Sequence, residues 1–355
     1  MDEMMRGILE AAIQAPSGEN AQPWRFRIQG DTILQFHDPG SDESLYNYNG
    51  YGTLVAHGAA LENMALAAVA KGYTANIRIF PDQSNKNLIA ELKIAAGTSD
   101  APSSSLADFI GKRATNRKPY EVKPLTEEAG SALEKAAAPF ASQGISYSRI
   151  TDRKKMGVLA EVASTNERIM LGNKELHRFF FSHLTWTPEE DARVKRGFYI
   201  KTLELPPPVQ GLFKLFKHWP VMKVLRTASF PTLVGKGNAK TYATSAEIGV
   251  IRVPHLSKEM CLAAGRLFER LWLTTASLGL QFQPLTGTIF MQIFAEHVPQ
   301  GHFSSAERAL LKKMMKQLNE TTEGKGGSVL LMFRVGYGNP PSARALRFSL
   351  QELLV

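Results

Sequence analysis

Cysteine is almost missing from this sequence. Cys261 is the single one among 355 residues, which excludes an intrachain disulfide and argues against a cysteine-built metal centre. A reducing, cytoplasmic setting fits that usage. The opening MDEMMRG has no basic stretch followed by an apolar core, so no secretory signal is read there. No apolar run reads as long enough to span a bilayer. His297 and His302 lie in the loop-like EHVPQGH, the wrong context for a helical metal pair, and no metal site is expected. Acid is missing locally: residues 205–245 contain Lys214, Lys217, Lys223, Arg226, Lys236 and Lys240 but neither Asp nor Glu.

What is present describes a folded protein. Hydrophobic residues make up 44% and charged residues 21%, enough apolar material for one large core or two smaller ones. The net charge of +9 admits nucleic acid, a membrane surface or anionic small molecules as partners. Neither a nucleic-acid-binding module nor a basic stripe interleaved with aromatics is found, so a small-molecule partner is expected and nucleic acid is not.

Periodicity orders the first hundred residues as helix, two strands, helix, two strands. DEMMRGILEAAIQ puts Met5, Ile8, Leu9, Ala12 and Ile13 on one helical face. WRFRI alternates, DTILQFHD follows it as a second strand, and residues 52–70 form a long, nearly all-apolar helix stopped at Gly72. ANIRIF and LIAELKI are the next strands, and GTSDAPSSS marks a linker. The remainder begins with a helix from Leu106 and continues with helices over 126–138, after Asp152 and over 257–278. It closes with the capping box Ser304/Glu307 and the strand GSVLLMFRVGYG. LAAVAKGYTANIRIFP and LTTASLGLQFQPL occupy matching places, which reads as an internal repeat.

Four short stretches carry more polar or glycine character than their surroundings require. Pro16-Ser17-Gly18-Glu19-Asn20 is a helix-to-strand turn with surplus hydrogen-bonding capacity. RATNR, residues 113–117, can present Arg113, Thr115 and Arg117 to one anion, and arginine suits phosphate through its two-pronged fork. Pro284-Leu285-Thr286-Gly287 follows a strand, and its glycine lets a flat ligand approach the backbone. ARALR ends the series with Arg344 and Arg347. Singly, each reads better as a plain turn or a solvated basic run; their joint occurrence in this order favours a site.

Taken together these stretches resemble the nitroreductase superfamily, FMN-dependent oxidoreductases of α+β fold. The first resembles its Pro-Ser-x-x-Asn-x-Gln-Pro-Trp-x-Phe motif, kept as Pro16, Ser17, Asn20, Gln22, Pro23, Trp24 and Phe26. RATNR, LGLQFQPLTG and FRVGYGNPPSARALR resemble its arginine, glycine and closing segments. The resemblance implies two related halves forming a pseudo-dimer within one chain, with mixed or antiparallel sheets flanked by helices. The halves would be residues 1–100 and 101–355, the second carrying a helical insert at about 166–237. AAAPFASQG stands where the second half would need its own polar turn, so one FMN site per chain is expected.

By position, the resemblance assigns FMN phosphate and ribityl contacts to Arg113 and Thr115, aided by Arg344 or Arg347, and the ring edge or ribityl to Ser17 and Asn20 beside Pro16. Pro284, Leu285, Thr286 and Gly287 would flank the ring, with the Gly287 N–H toward N5. Arg117 would be the catalytic cation near N1, where fixed positive charge stabilises reduced flavin. The implied activity is reduction of FMN by NADH or NADPH, then of a small acceptor such as a nitroaromatic or quinone. The alternative is an FMN storage or sequestering protein whose lid blocks substrate. The insert is open to three readings: an extra helical layer, a lid, or a basic-apolar surface touching anionic lipid. Monomer and homodimer both remain open.

Overall fold

The apolar stripe of the first segment becomes α1 (Glu3–Ala12), which buries Met5, Ile8, Leu9 and Ala12. Its start is fixed by Asp2, whose carboxylate accepts the Met5 N–H at 2.7 Å. In this computed structural model all residues except 1, 43, 98–101 and 325 are described. The middle of the expected 97–105 linker therefore lies outside the described residues. After α1 come β1 (Trp24–Gln29), β2 (Thr32–His37), α2 (Tyr51–Ala70), β3 (Tyr73–Ile79) and β4 (Leu88–Ala96), all antiparallel in the order β1-β2-β4-β3.

The second part repeats this plan with a long interruption. Helix α3 (Glu127–Ala137) and β5 (Ser146–Ile150) lead into α4 (Arg153–Gly172), α5 (Lys174–Ser182), β6 (Leu184–Thr185), α6 (Pro188–Val194) and β7 (Phe198–Tyr199). Three further helices follow: α7 (Pro207–Phe216), α8 (Trp219–Thr227) and α9 (Phe230–Ala243). Then come β8 (Glu247–Val253), α10 (Lys258–Ser277), β9 (Gln281–Pro284), α11 (Gly287–His297), α12 (Ser305–Thr321) and β10 (Ser328–Gly336). The second sheet runs β5-β8-β10-β9, again antiparallel. Each strand thus has a counterpart in the first sheet at the same place, and α3 and α10 match α1 and α2.

The two long helices cross where both are glycine. A Cβ on Gly58 would lie 2.0 Å from the Leu262 carbonyl oxygen, and one on Gly265 would lie 2.1 Å from that of Val55. The same spacing along the chain separates Val55 from Leu262, Gly58 from Gly265, Glu62 from Glu269 and Gly72 from Gly279. Gly72 and Gly279 both take left-handed φ values, +80° and +70°, at the two helix ends.

Three sequence expectations change. Residues 102–109 form a 3-10 run in place of the helix expected from Leu106. β8, a buried strand with the apolar run Ile248–Ile251 at its centre, has no counterpart among the strands read from the sequence. Residues Tyr48–Ala70 do reach the length and hydropathy of a membrane-crossing helix, but 83% of that window is buried inside the protein, where α2 packs on α1 and α10. Cys261 sits in the same core, its thiol pushed up to about 12 by burial. After β10 the chain crosses back to the first half, where the Val355 N–H donates to the Phe26 carbonyl at 2.9 Å.

Candidate functional site

The polar turn after α1 is strained and heavily bonded. Glu19, Asn20 and Gln22 take φ values of 45°, 54° and 50°, a conformation costing non-glycine residues of order 1–3 kcal/mol each. The surroundings hold it there. Ser17 Oγ accepts the Gln22 N–H at 3.0 Å. The Asn20 amide donates to the carbonyls of Lys195 and Leu346, both at 2.9 Å, and its oxygen accepts Arg347 at 2.6 Å. Gln22 donates to Lys195 O at 2.7 Å and accepts the Phe348 N–H at 2.8 Å. The turn therefore ties the insert and the C-terminal arm together, and Asn20 points at backbone on both sides.

Beside this turn lies a cavity of about 170 Å³. Pro16, Ser17 and Glu19 wall it from the first half, Pro284, Thr286 and Gly287 from the second. Leu285 is buried, its N–H bonded to Met332 O at 2.7 Å. Gly287 opens α11, where the first N–H groups of a helix lack an i−4 partner, although the Ile289 N–H donates to the Thr286 carbonyl at 3.0 Å. A Cβ there would lie 2.1 Å from Asn166 Oδ1, a buried oxygen with no hydrogen-bond partner among the described residues. Burial, reinforced by nearby Asp42, pushes the Glu19 carboxyl up to about 7, while the Tyr46 hydroxyl, 3.0 Å away, opposes the shift. A second cavity of about 330 Å³ shares Glu19 and Asp42 and is closed by Phe179, His183, Leu184 and Arg196 of the insert.

The arginines divide into two groups. Residues 113–117 run beside β9, with Thr115 bridged to Phe282, and Asn116 fixes the segment through Gln281 and the Asn339 carbonyl, both at 2.7 Å. Arg113 points into the protein. It stacks 4.4 Å over Trp272, donates to Gln14 O at 2.5 Å and lies 3.1 Å from Glu269 on α10. Arg344 donates to the Arg113 carbonyl, and Arg347 reaches Asn20 from the same arm. Arg113 Nε, Arg347 Nε and both Glu269 oxygens are buried without a hydrogen-bond partner among the described residues. Burial holds Glu269 up at about 7 despite Arg113. Burial, with Arg113 as a like charge, brings Arg347 down to about 9. Arg117 takes the other direction: it donates to Thr202 O at 2.8 Å, lies over Phe198, and has Tyr242, Glu167 and Glu204 as its electrostatic neighbours.

Pro16, Ser17, Pro284, Thr286 and Gly287 are thus brought to one cavity, and Arg113, Arg344 and Arg347 to one basic cluster. The turn joins the two, with Gln14 and Asn20 on the cluster and Pro16 to Glu19 on the cavity. Thr115 lies beside β9, and Arg117 faces the insert. The sequence reading named Glu19 in the turn without giving it a role, and missed Glu269, a carboxylate within a largely apolar helix. It also missed Arg334, a fully buried guanidinium 3.9 Å over Tyr120 that donates to Gln283 and Lys118 O at 2.7 Å.

No protein-family profile matches the chain. It is 25% identical over 97% of its length to an uncharacterized protein of Mycobacterium tuberculosis, covering 48% of that protein. It is 26% identical over 45% of its length to a protein of the same organism named "Putative NAD(P)H nitroreductase", covering 46% of it. A third relative, "Putative NAD(P)H nitroreductase acg", is 30% identical over 34% of this chain and 37% of its own. The chain thus matches about half the length, or less, of these curated relatives. Among solved structures, the FMN-dependent nitroreductase NfnB from Mycobacterium smegmatis in complex with NADPH aligns at 13% identity and TM-score 0.39, over 70% of this chain and 96% of that one. A nitroreductase with bound FMN from Bacteroides fragilis aligns at 10% and 0.37, over 69% and 93%. Two of these sequence relatives carry the name putative NAD(P)H nitroreductase, the family that the motif-bearing turn resembles.

Proposed function

We propose that this protein is an FMN-dependent oxidoreductase. In this reading NADH or NADPH supplies the electrons, and a nitroaromatic or quinone accepts them. The halves are residues 1–100 and 101–355, with one FMN between them. The observation that carries the reading is the cluster of Arg113, Arg344 and Arg347, in which the Nε atoms of Arg113 and Arg347 are buried without a hydrogen-bond partner among the described residues, set one turn away from a cavity walled by both halves. A buried N–H donor without an acceptor is costly, and a phosphate monoester suits a cluster of guanidiniums.

The residues present suit the rest of FMN. Ser17 and Gly287 offer a hydroxyl and a helix-start N–H to a flat ring in the cavity. Thr286 takes a place where many members have Glu. Arg117 supplies the fixed cation on the insert side, and it cannot deprotonate under working conditions. The flavin itself brings hydride chemistry, for which no general base is needed. Glu19, with its carboxyl near 7, can hold a proton at the cavity wall.

A sequestering role is favoured by one feature: Lys195 and Gly197 of the insert are bonded directly to the turn, covering it. Mixing the FMN-loaded protein with NADPH under anaerobic conditions separates the two. Bleaching of the flavin absorbance supports the oxidoreductase. A band that stays yellow with NADPH and NADH but bleaches with dithionite assigns the protein to storage.

A further inference from the structure

The acid-free segment builds a surface whose features all point one way. Helices α7, α8 and α9 pack in succession. Their inward side chains, Phe213, Phe216, Trp219, Leu225, Phe230 and Val234, close over Met222 and Phe181 in a small core of their own. That core accounts for one face of the helices. On the other, Leu212 and Leu215 stand one turn apart on α7, Val221 and Val224 one turn apart on α8, and Leu233 on α9; all are exposed, Val224 at 69% and Leu233 at 67%. They make up a large share of the exposed bulky hydrophobics among the described residues.

The charges between them have one sign. Lys214, Lys217, Lys223, Arg226, Lys236 and Lys240 are exposed, and none has an ion-pair partner among the described residues; Arg226 only covers Trp219 at 5.5 Å. A solvated helix face ordinarily mixes signs and keeps Leu and Val inward. Here exposed Leu and Val are interleaved with unpaired cations, the pattern of helices that lie in a membrane interface with apolar tips at the acyl boundary and lysines at the headgroups. The exposed hydrophobics are aliphatic, which disfavours a nucleic-acid surface, where stacking aromatics are expected.

We propose that α7–α9 form a docking surface for an anionic lipid bilayer. The insertion is peripheral, carried by Leu212, Leu215, Val221, Val224 and Leu233, with attraction from the six cations. It does not depend on the flavin reading.

The test is sedimentation of the full chain with vesicles of phosphatidylcholine alone and of phosphatidylcholine mixed with phosphatidylglycerol. Binding to the anionic vesicles only, weakened by added salt, is expected. Lys214→Gln and Lys217→Gln should each weaken it roughly fivefold. Leu212→Ser with Leu215→Ser should weaken it more than either, while leaving the melting temperature unchanged because both side chains already face solvent. Equal binding to neutral vesicles, or none to anionic ones, overturns the proposal. So does self-association in vesicle-free solution that the Leu212→Ser/Leu215→Ser variant abolishes, since the face would then belong to a second copy.

Discussion

Helices α2 and α10 each carry one fully buried glutamate at matching positions, and the two meet different fates. Glu62 is completed: Arg266 Nε reaches one oxygen at 3.1 Å and Arg270 the other at 2.5 Å, with Arg270 also lying 5.2 Å over Phe140. Glu269 has Arg113 at 3.1 Å, out of hydrogen-bond alignment, and neither oxygen accepts a bond among the described residues. Phe140 belongs to the 3-10 run Ala138–Gln143 that follows α3 as Gly18–Asn20 follows α1. At Glu62 an apolar ring lies over the paired arginine, and near Glu269 a polar turn takes the corresponding place. Matching positions on two helices thus carry the same buried carboxylate with different pairing.

The largest expected effects break the scaffold shared by both ends. Gly58→Ala and Gly265→Ala each place a methyl into a backbone carbonyl of the other helix and should each cost about 3 kcal/mol or more. Urea unfolding should show similar losses for the two, because the crossing is symmetric. Next, Arg113→Ala leaves Glu269 buried without a counter-charge and should cost about 3 kcal/mol, together with a loss of FMN affinity of roughly a hundredfold. Arg270→Ala, which leaves Arg266 on Glu62, should cost less and leave FMN affinity unchanged in a fluorescence titration.

Proton linkage separates the ends at a smaller scale. An anion beside Glu269 favours its protonated form, so FMN should bind roughly tenfold more weakly at pH 8.5 than at pH 6.5. Arg347, brought down to about 9, remains largely charged across that range. Glu269→Gln should flatten the dependence and Glu62→Gln should not. Stability follows the same sign. A carboxyl raised on folding from 4.5 to about 7, as Glu19 and Glu269 are, favours the fold fully below 4.5. That contribution is lost as pH climbs through about 7, so the melting temperature should fall between pH 5 and 7.5, less so in Glu269→Gln. Smallest, Arg117→Ala should slow flavin reduction in stopped flow more than it lowers FMN affinity.

The repeat was legible because helix and strand periods are local, and LAAVAKGY and LTTASLGL place the same glycine at the same helix end. The turn was legible because Pro, Ser, Gly and Asn have few other uses together. Its partners were not: that Asn20 binds Lys195 and Leu346, far along the chain, depends on tertiary closure. RATNR read as one anion-facing unit, yet the segment meets β9 only at the Thr115–Phe282 bridge, with Arg113 sent inward to Glu269 and Arg117 toward Thr202 of the insert, a divergence set by tertiary packing. Glu269 needed the helix crossing to be recognised as buried.

One titration tests the account most directly: FMN added to the cofactor-free protein, followed by absorbance, for the native chain, Arg113→Ala and Arg270→Ala. The account predicts one FMN per chain, lost or strongly weakened in Arg113→Ala and retained in Arg270→Ala. Two FMN per chain, none, or binding that Arg270→Ala abolishes and Arg113→Ala spares would contradict it.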